Sequence, residues 1–303
     1  GSRCLEHYFN VMHKPYPKYG FTPDGDFPLI YAEKAICTYT HTFEIPGLAN
    51  PFEWGDALNI VLADASITLD DISTEKLEQA RYIYLENYPQ ANIKIEGHTV
   101  TFKGKASHGS LPWFGSNAGL HLLNYIARLR HIPELRSLFH LYHHGDGKRF
   151  GGDYKSDNFT DSSYCIGKIK YDGEKLTFYV NMRLPETINP QDACDNVAEK
   201  MGGEVKLLSS SEALVIDPKS DMVRVLMDAY QKETHDYTSK PLAIGGGTYA
   251  KESKNTLAFG SAFPGRDNRI HDNEEYISLD DFYNSIAIYA HGIVNLAKLV
   301  KKA

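Results

Sequence analysis

The sequence contains no apolar run approaching the ~20 residues that a membrane-spanning helix needs, and no stretch that reads as a secretory leader. Its four cysteines, Cys4, Cys37, Cys165 and Cys194, lie far apart and form no CxxC or other zinc-ligand spacing. A chain of this size needs no disulfide staples, so reduced thiols in the cytoplasm are the expectation. A secreted protein with two disulfides is the alternative. Positive charge is not in excess: 32 Lys and Arg stand against 39 Asp and Glu, a net charge of −7. That balance lacks the basic footprint of a nucleic-acid binder. Also missing are a Gly-x-Ser-x-Gly elbow, a His-Glu-x-x-His helix and a dinucleotide fingerprint before a helix. There is no repeat of fixed period and no low-complexity run.

What is present is an ordinary globular composition over 303 residues, 42% hydrophobic and 23% charged, with 24 Gly and 14 Pro. At ~100–200 residues per domain this predicts two domains. Gly1-Ser2 reads as the remnant of a cleaved tag. The first thirty-five or so residues read as the tail of something begun earlier: Tyr19 to Asp26 is loop chemistry, running into a short apolar strand candidate at Phe27 to Ala32. From about Thr38 strands and helices alternate. Ala57 to Ala63 continuing to Ser66 to Leu69 suits a long or bent strand pair, and Glu75 to Tyr88 a helix ended by Pro89. A hairpin follows at Ile93–Ile95 and Thr99–Phe102, then a helix over Asn117 to Arg130 that stops before Pro133. Residues 140–163 read as a long polar surface excursion. Asp172-Gly173 predicts a type I′ turn between two alternating strands, and Asn189-Pro190 a helix start. Strand Val205 to Leu208 closes an open α/β sandwich with helices on one face. After Ser211 come an amphipathic helix from Asp217-Pro218, strands at Leu242 and Leu257, and a last helix. Its apolar face is predicted at Phe282, Ile286, Ile293 and Leu296.

Three clusters carry chemistry. Phe263-Pro264-Gly265-Arg266 leads to His271-Asp272-Asn273-Glu274-Glu275, placing a histidine beyond a buried strand and a turn, where open α/β folds keep their sites; imidazole is the commonest zinc ligand. Lys103 to Pro112 sets His108 among small residues, so that backbone can approach a ligand and the imidazole can meet an oxyanion. Asn181-Met182-Arg183 ends a strand with a guanidinium whose planar fork matches a carboxylate. Taken singly, each also reads as an ordinary loop histidine or surface ion pair. Gly245-Gly246-Gly247-Thr248 offers backbone amides but lacks the Lys of a phosphate loop. His143-His144 has the residue types of a metal site but no apolar strand to fix it, and His121 with Tyr125 reads as packing or surface.

In their order these pieces resemble the M20 metallopeptidases, in the bacterial dipeptidase branch. The resemblance is carried by Phe21-Thr22-Pro23-Asp24, Phe27 to Lys34, Ala57-Leu58-Asn59-Ile60-Val61, Gly104 to Gly109, Asn181-Met182-Arg183, Gly245 to Ala250, and Phe263 to Tyr276. It implies an α/β zinc-peptidase-like catalytic domain interrupted by an inserted α/β lid. The division here would be a catalytic remnant at 1–36, a lid at 37–211 and a C-terminal catalytic part at 212–303. It implies two zinc ions, a dipeptide substrate hydrolysed by a metal-activated water, a monomer, and no nucleic-acid or membrane partner. By the same resemblance Asp24 and His271 are metal ligands, and His108 steadies the oxyanion. Asn59 and Arg183 hold the substrate termini, and Gly246, Gly247 and Thr248 line the pocket.

The sequence departs from the family pattern in ways that matter. The His-x-Asp strand, the bridging Asp and the Glu-Glu pair of base and ligand are expected upstream of Gly1, so an N-terminally truncated, inactive form is predicted. Glu53-Trp54-Gly55-Asp56 stands where a Gly-Gly pair is expected, and Ala35 replaces a Gly. Asp26 is an alternative ligand to Asp24. A non-catalytic peptide-binding module and an M20-type deacylase are the competing readings.

Overall fold

The computed structural model describes residues 4–270 and 274–302. The architecture is mixed α/β and divides into two compact units, Gly1–Lys34 with Glu212–Ala303 and Ala35–Ser211.

Unit 1 is built on strand Ile30–Glu33, which pairs with Thr256–Ala258, Leu214–Val215 and Leu242–Ile244, the last of these parallel. Gly20–Thr22 extends the sheet beside Thr256–Ala258. Helix Asp221–Thr234 starts because the Ser220 side chain accepts the Val223 N–H, and it ends where His235 turns to a left-handed φ of 56°. It packs with helix Leu279–Lys302 over a core of Phe27, Leu29, Met222, Leu226, Tyr230, Leu257, Phe259, Ile288 and Leu296. Close approach requires Gly292: a Cβ there would lie 3.2 Å from both Leu226 Cδ2 and Phe259 Cε1. The buried face of this helix runs through Asp281, Ser285, Ile288, Gly292 and Leu296. The face predicted from sequence is corrected accordingly: Phe282, Ile286 and Ile293 are 47%, 51% and 59% exposed. The helix is apolar on two sides, and periodicity alone does not say which side meets the core.

Unit 2 holds an antiparallel sheet in the order Glu204–Ser211, Ala35–Glu44, Lys175–Leu184, Ser163–Tyr171, Phe52–Trp54. Alternate residues of Ala35–Glu44 are buried from Ala35 through His41, the period-2 signature of a sheet with one covered face. A three-stranded sheet (Asp64–Thr68, Thr99–Lys103, Asn92–Glu96) stands with helices Thr74–Asn87 and Ala118–Leu129, whose starts are fixed by Ser73 and Asn117 as N-caps. Three expectations fail here. Residues 57–63 form no strand, only a bridge from Ile60 to His108, and the ladder begins at Asp64. The 140–163 stretch is no surface excursion: helix Pro133–Tyr142 leads into it, and Tyr142, Phe150, Phe159 and Ser162 are buried. Pro133 occupies the first turn of that helix, where its missing N–H costs nothing. The Asp172 turn has three residues between its strands, and the Asp172 carboxylate accepts the N–H groups of Glu174 and Lys175 at 3.0 and 2.7 Å.

Candidate functional site

In unit 2 the chain segments that carry Asn59, His108 and Arg183 meet around one glycine, Gly109. Gly109 N donates to Asn59 O at 2.7 Å, just before the Ile60–His108 bridge. On its other side Ser163 Oγ donates to Gly109 O at 2.8 Å, and Ser163 is the cross-strand partner of Arg183. A Cβ on Gly109 would fall 2.9 Å from Asn59 O and 3.0 Å from Asn181 Oδ1, so only glycine lets these three segments meet. Asn59 and His108 are exposed, while Asn181 and Arg183 are buried at the strand end.

The polarity of each group is set by its neighbours. Arg183 Nε donates to Asn181 Oδ1 at 2.8 Å, which orients the guanidinium. Burial lowers the Arg183 pKa to about 10, and the nearby Cys165 and Cys37 thiols oppose that shift. The group therefore remains a cation at neutral pH, in a setting where its charge is poorly screened. Ser110 N lies 3.3 Å from His108 Nδ1 and Ser110 Oγ 2.7 Å from it. A backbone N–H can only donate, so Nδ1 is the acceptor and the neutral ring carries its proton on Nε2 as a donor.

In unit 1, Asp24 sits exposed on the short turn between strands Gly20–Thr22 and Gly25–Asp26, and its Oδ2 accepts the Tyr249 N–H at 3.0 Å. Asp26, the alternative ligand, is partly buried, and burial raises its pKa. The glycine loop Gly245–Gly247 follows strand Leu242–Ile244 and runs into Thr248, which caps a 3-10 turn at Tyr249–Glu252. Ala262 pairs with Asp26, so the chain that leads to residues 263–270 leaves from beside this turn. His271 lies outside the described residues.

Sequence reasoning missed the anchor of this edge. Glu33 is fully buried, and its two carboxylate oxygens accept Thr248 N at 2.8 Å and Thr248 Oγ1 at 2.6 Å. Burial raises its pKa; the two Thr248 hydrogen bonds and Lys251 pull it down, and Asp24 adds to the rise. Lys251 Nζ in turn donates to Lys34 O at 2.6 Å. Glu33 and Lys34 thus tie the glycine loop to the central strand and, through Tyr249, to Asp24. Glu33-Lys34 stood inside a recognised motif, but nothing in a lone strand glutamate announces a partner 215 residues away.

Among the described residues no group of three or more His, Cys, Asp or Glu side chains is gathered as a metal would require. Asp24 and Asp26 are neighbouring carboxylates without an imidazole among those residues. This set does not fit a two-zinc centre.

No family model matches the sequence. Among curated proteins, two Staphylococcus aureus sequences named "Putative dipeptidase", from strains USA300 and Mu50, are each 30% identical over 315 residues. Each match takes in 97% of this chain and 66% of the relative, so the chain spans 66% of the length of the curated relatives it matches. Among solved structures, aminoacylhistidine dipeptidase from Vibrio alginolyticus overlays at a TM-score of 0.40 and 12% identity, covering 88% of this chain and 63% of its own. Human carnosine dipeptidase 1 gives a TM-score of 0.42 at 9% identity, over 97% of this chain and 62% of its own. By the sequence likeness, the chain is a relative of the M20-type dipeptidases.

Proposed function

We propose that this polypeptide serves a metal-dependent dipeptidase. In this reading Asn59, His108 and Arg183 of unit 2 hold the peptide, Arg183 taking the C-terminal carboxylate in its planar fork. His108, with its proton on Nε2, donates to the oxygen that gains charge when the peptide carbonyl is attacked. On unit 1 the segment Gly246, Gly247 and Thr248 is proposed to make backbone contacts to substrate, and Glu33 holds that segment through Thr248. The resemblance makes Asp24 and His271 zinc ligands, a centre that the described residues by themselves do not complete. The proposed division of labour makes 37–211 a lid and the remainder catalytic, in a monomeric cytoplasmic enzyme. The single observation that supports this reading most is the junction at Gly109, which brings Asn59, His108 and the Arg183 strand end together from distant parts of the chain.

Because the described residues do not make up a metal centre, we expect the chain on its own to bind dipeptides without hydrolysing them. Isothermal titration with a dipeptide and its C-terminal amide tests the binding half. The free carboxylate should bind more tightly, and Arg183→Lys should remove at least about tenfold of that preference, since an ammonium cannot replace the fork. Equal affinity for acid and amide would refute the Arg183 role. Turnover of dipeptides with added zinc would refute the expected inactivity.

A second reading is a peptide-binding module without chemistry, which the junction at Gly109 supports equally. The gene separates the two: an in-frame upstream His-x-Asp strand supports the enzyme, and a genuine start near Arg3 the binder. An M20-type deacylase would be told apart by hydrolysis of N-acyl amino acids by the complete protein.

A further inference from the structure

Unit 2 carries a cavity of about 740 Å³ whose lining includes none of Asn59, His108 and Arg183. It opens among helices Ala118–Leu129 and Pro133–Tyr142 and the turn Lys148–Phe150, with Tyr88 at its edge. Three guanidinium groups, Arg128, Arg136 and Arg149, line it, and no Asp or Glu does. In a chain with 39 acidic residues against 32 basic ones, an acid-free lining with three arginines is a local inversion of charge.

The hydrogen-bonding directions point the same way. Arg128 is held by rings rather than by a carboxylate: its Cζ lies 5.7 Å from the ring centres of both Tyr84 and Tyr88. Its Nε is buried with no hydrogen-bond partner among the described residues. Arg149 Nη1 lies 2.6 Å from His140 O, 3.1 Å from His140 Nδ1 and 3.0 Å from His143 Nδ1. A guanidinium can only donate, and Nη1 shares its two hydrogens among these three acceptors; an imidazole that accepts from it at Nδ1 carries its proton on Nε2. The ring of His143 stacks on Phe139 at 4.8 Å and 13°, giving the cavity an aromatic wall. The charged groups of the lining are therefore all donors.

We propose that this cavity is a binding site for a small phosphate-bearing molecule, such as a nucleotide. Guanidinium forks match phosphate oxygens in pairs and hold a doubly charged group better than a single carboxylate. The volume lies within the range of ligand pockets, roughly 300–1,000 Å³, and exceeds what inorganic phosphate alone would fill. The remaining space, walled by Phe139, His143 and Tyr88, suits an organic body with a flat face.

The test is calorimetric titration of the full chain with AMP, ATP, inorganic pyrophosphate and citrate, the last a polyanion without phosphorus. The expected result is saturable one-to-one binding of the phosphates, tighter for nucleotide than for pyrophosphate, with citrate weaker than both. Arg136→Ala and Arg128→Lys should each weaken binding at least about tenfold. Arg136 is exposed, so its variant should remain folded, which a thermal melt verifies. Lys206→Ala, which removes an exposed cation of unit 2 outside the cavity lining, should leave phosphate affinity unchanged. Any one of three results overturns the proposal: no saturable binding up to about 10 mM, roughly 4 orders weaker than a typical micromolar site; equal affinity for citrate; or a loss of binding in Lys206→Ala as large as in Arg136→Ala.

Discussion

At the residue scale the decisive position is Gly109. It has no side chain to lose, yet any Cβ there would press on a backbone oxygen of Asn59 and on the Asn181 side chain. Backbone cannot retreat as a flexible side-chain tip can, so Gly109→Ala should part the Asn59 segment from His108. The expected outcome is a stability loss of about 1–3 kcal/mol, together with a weaker dipeptide affinity. Urea unfolding and titration calorimetry read the two effects, and an unchanged affinity would mean that the close approach has no bearing on the peptide. Gly109 was legible in the sequence as one of the small residues around His108, because short motifs of small and polar residues stand out locally. The short motifs that hold Asn59, Arg183 and Asp24 stand out locally in the same way, and their roles are the proposal made above. Glu33 was not, since its meaning depends on Thr248, and burial of a carboxylate is decided by tertiary packing rather than by neighbours in the chain.

At the element scale, the sequence marked starts better than faces. Ser73, Asn117 and Asn189 each accept a backbone N–H at the head of a helix, and side chains that cap in this way are written into the local sequence. Pro133 misled because a proline stops the helix before it and opens the helix after it equally well. The last helix misled in another way. Leu279–Lys302 offers apolar residues on two sides, and the choice between them belongs to helix Asp221–Thr234 and Phe259, not to the helix itself. A pair of variants makes the distinction measurable. Ile288 is 0% exposed and Ile288→Ala should cost about 2–5 kcal/mol. Ile286, two residues earlier and 51% exposed, should tolerate Ser within about 0.5 kcal/mol. If the two losses in urea unfolding are alike, the packed face has been assigned to the wrong side.

At the scale of the whole molecule, acid should act on unit 2 through its histidines. His41 is fully buried on strand Ala35–Glu44: its Nε2 donates to Gly202 O at 2.7 Å, and Nδ1 accepts from Tyr142 OH at 2.8 Å. Tyr39 OH, 2.9 Å from Tyr142 OH, completes a chain in which each hydroxyl donates onward. Burial lowers the His41 pKa to about 4, against a pull upward from Gly202, and burial lowers those of His121 and His143 to about 4 as well. All three belong to Ala35–Ser211. As pH falls below about 6.5 the unfolded chain takes up protons that the folded rings refuse, so stability is lost progressively down to the folded value near 4. The slope is about 1.4 kcal/mol per pH unit for each ring. His41→Gln can keep both hydrogen bonds without titrating. It should shrink the stability difference between pH 6.5 and pH 5 by about 2 kcal/mol, read by urea unfolding across that range. An undiminished difference would mean that the folded protein protonates His41 as readily as the unfolded chain does, which the Tyr39–Tyr142–His41–Gly202 chain forbids in its present orientation.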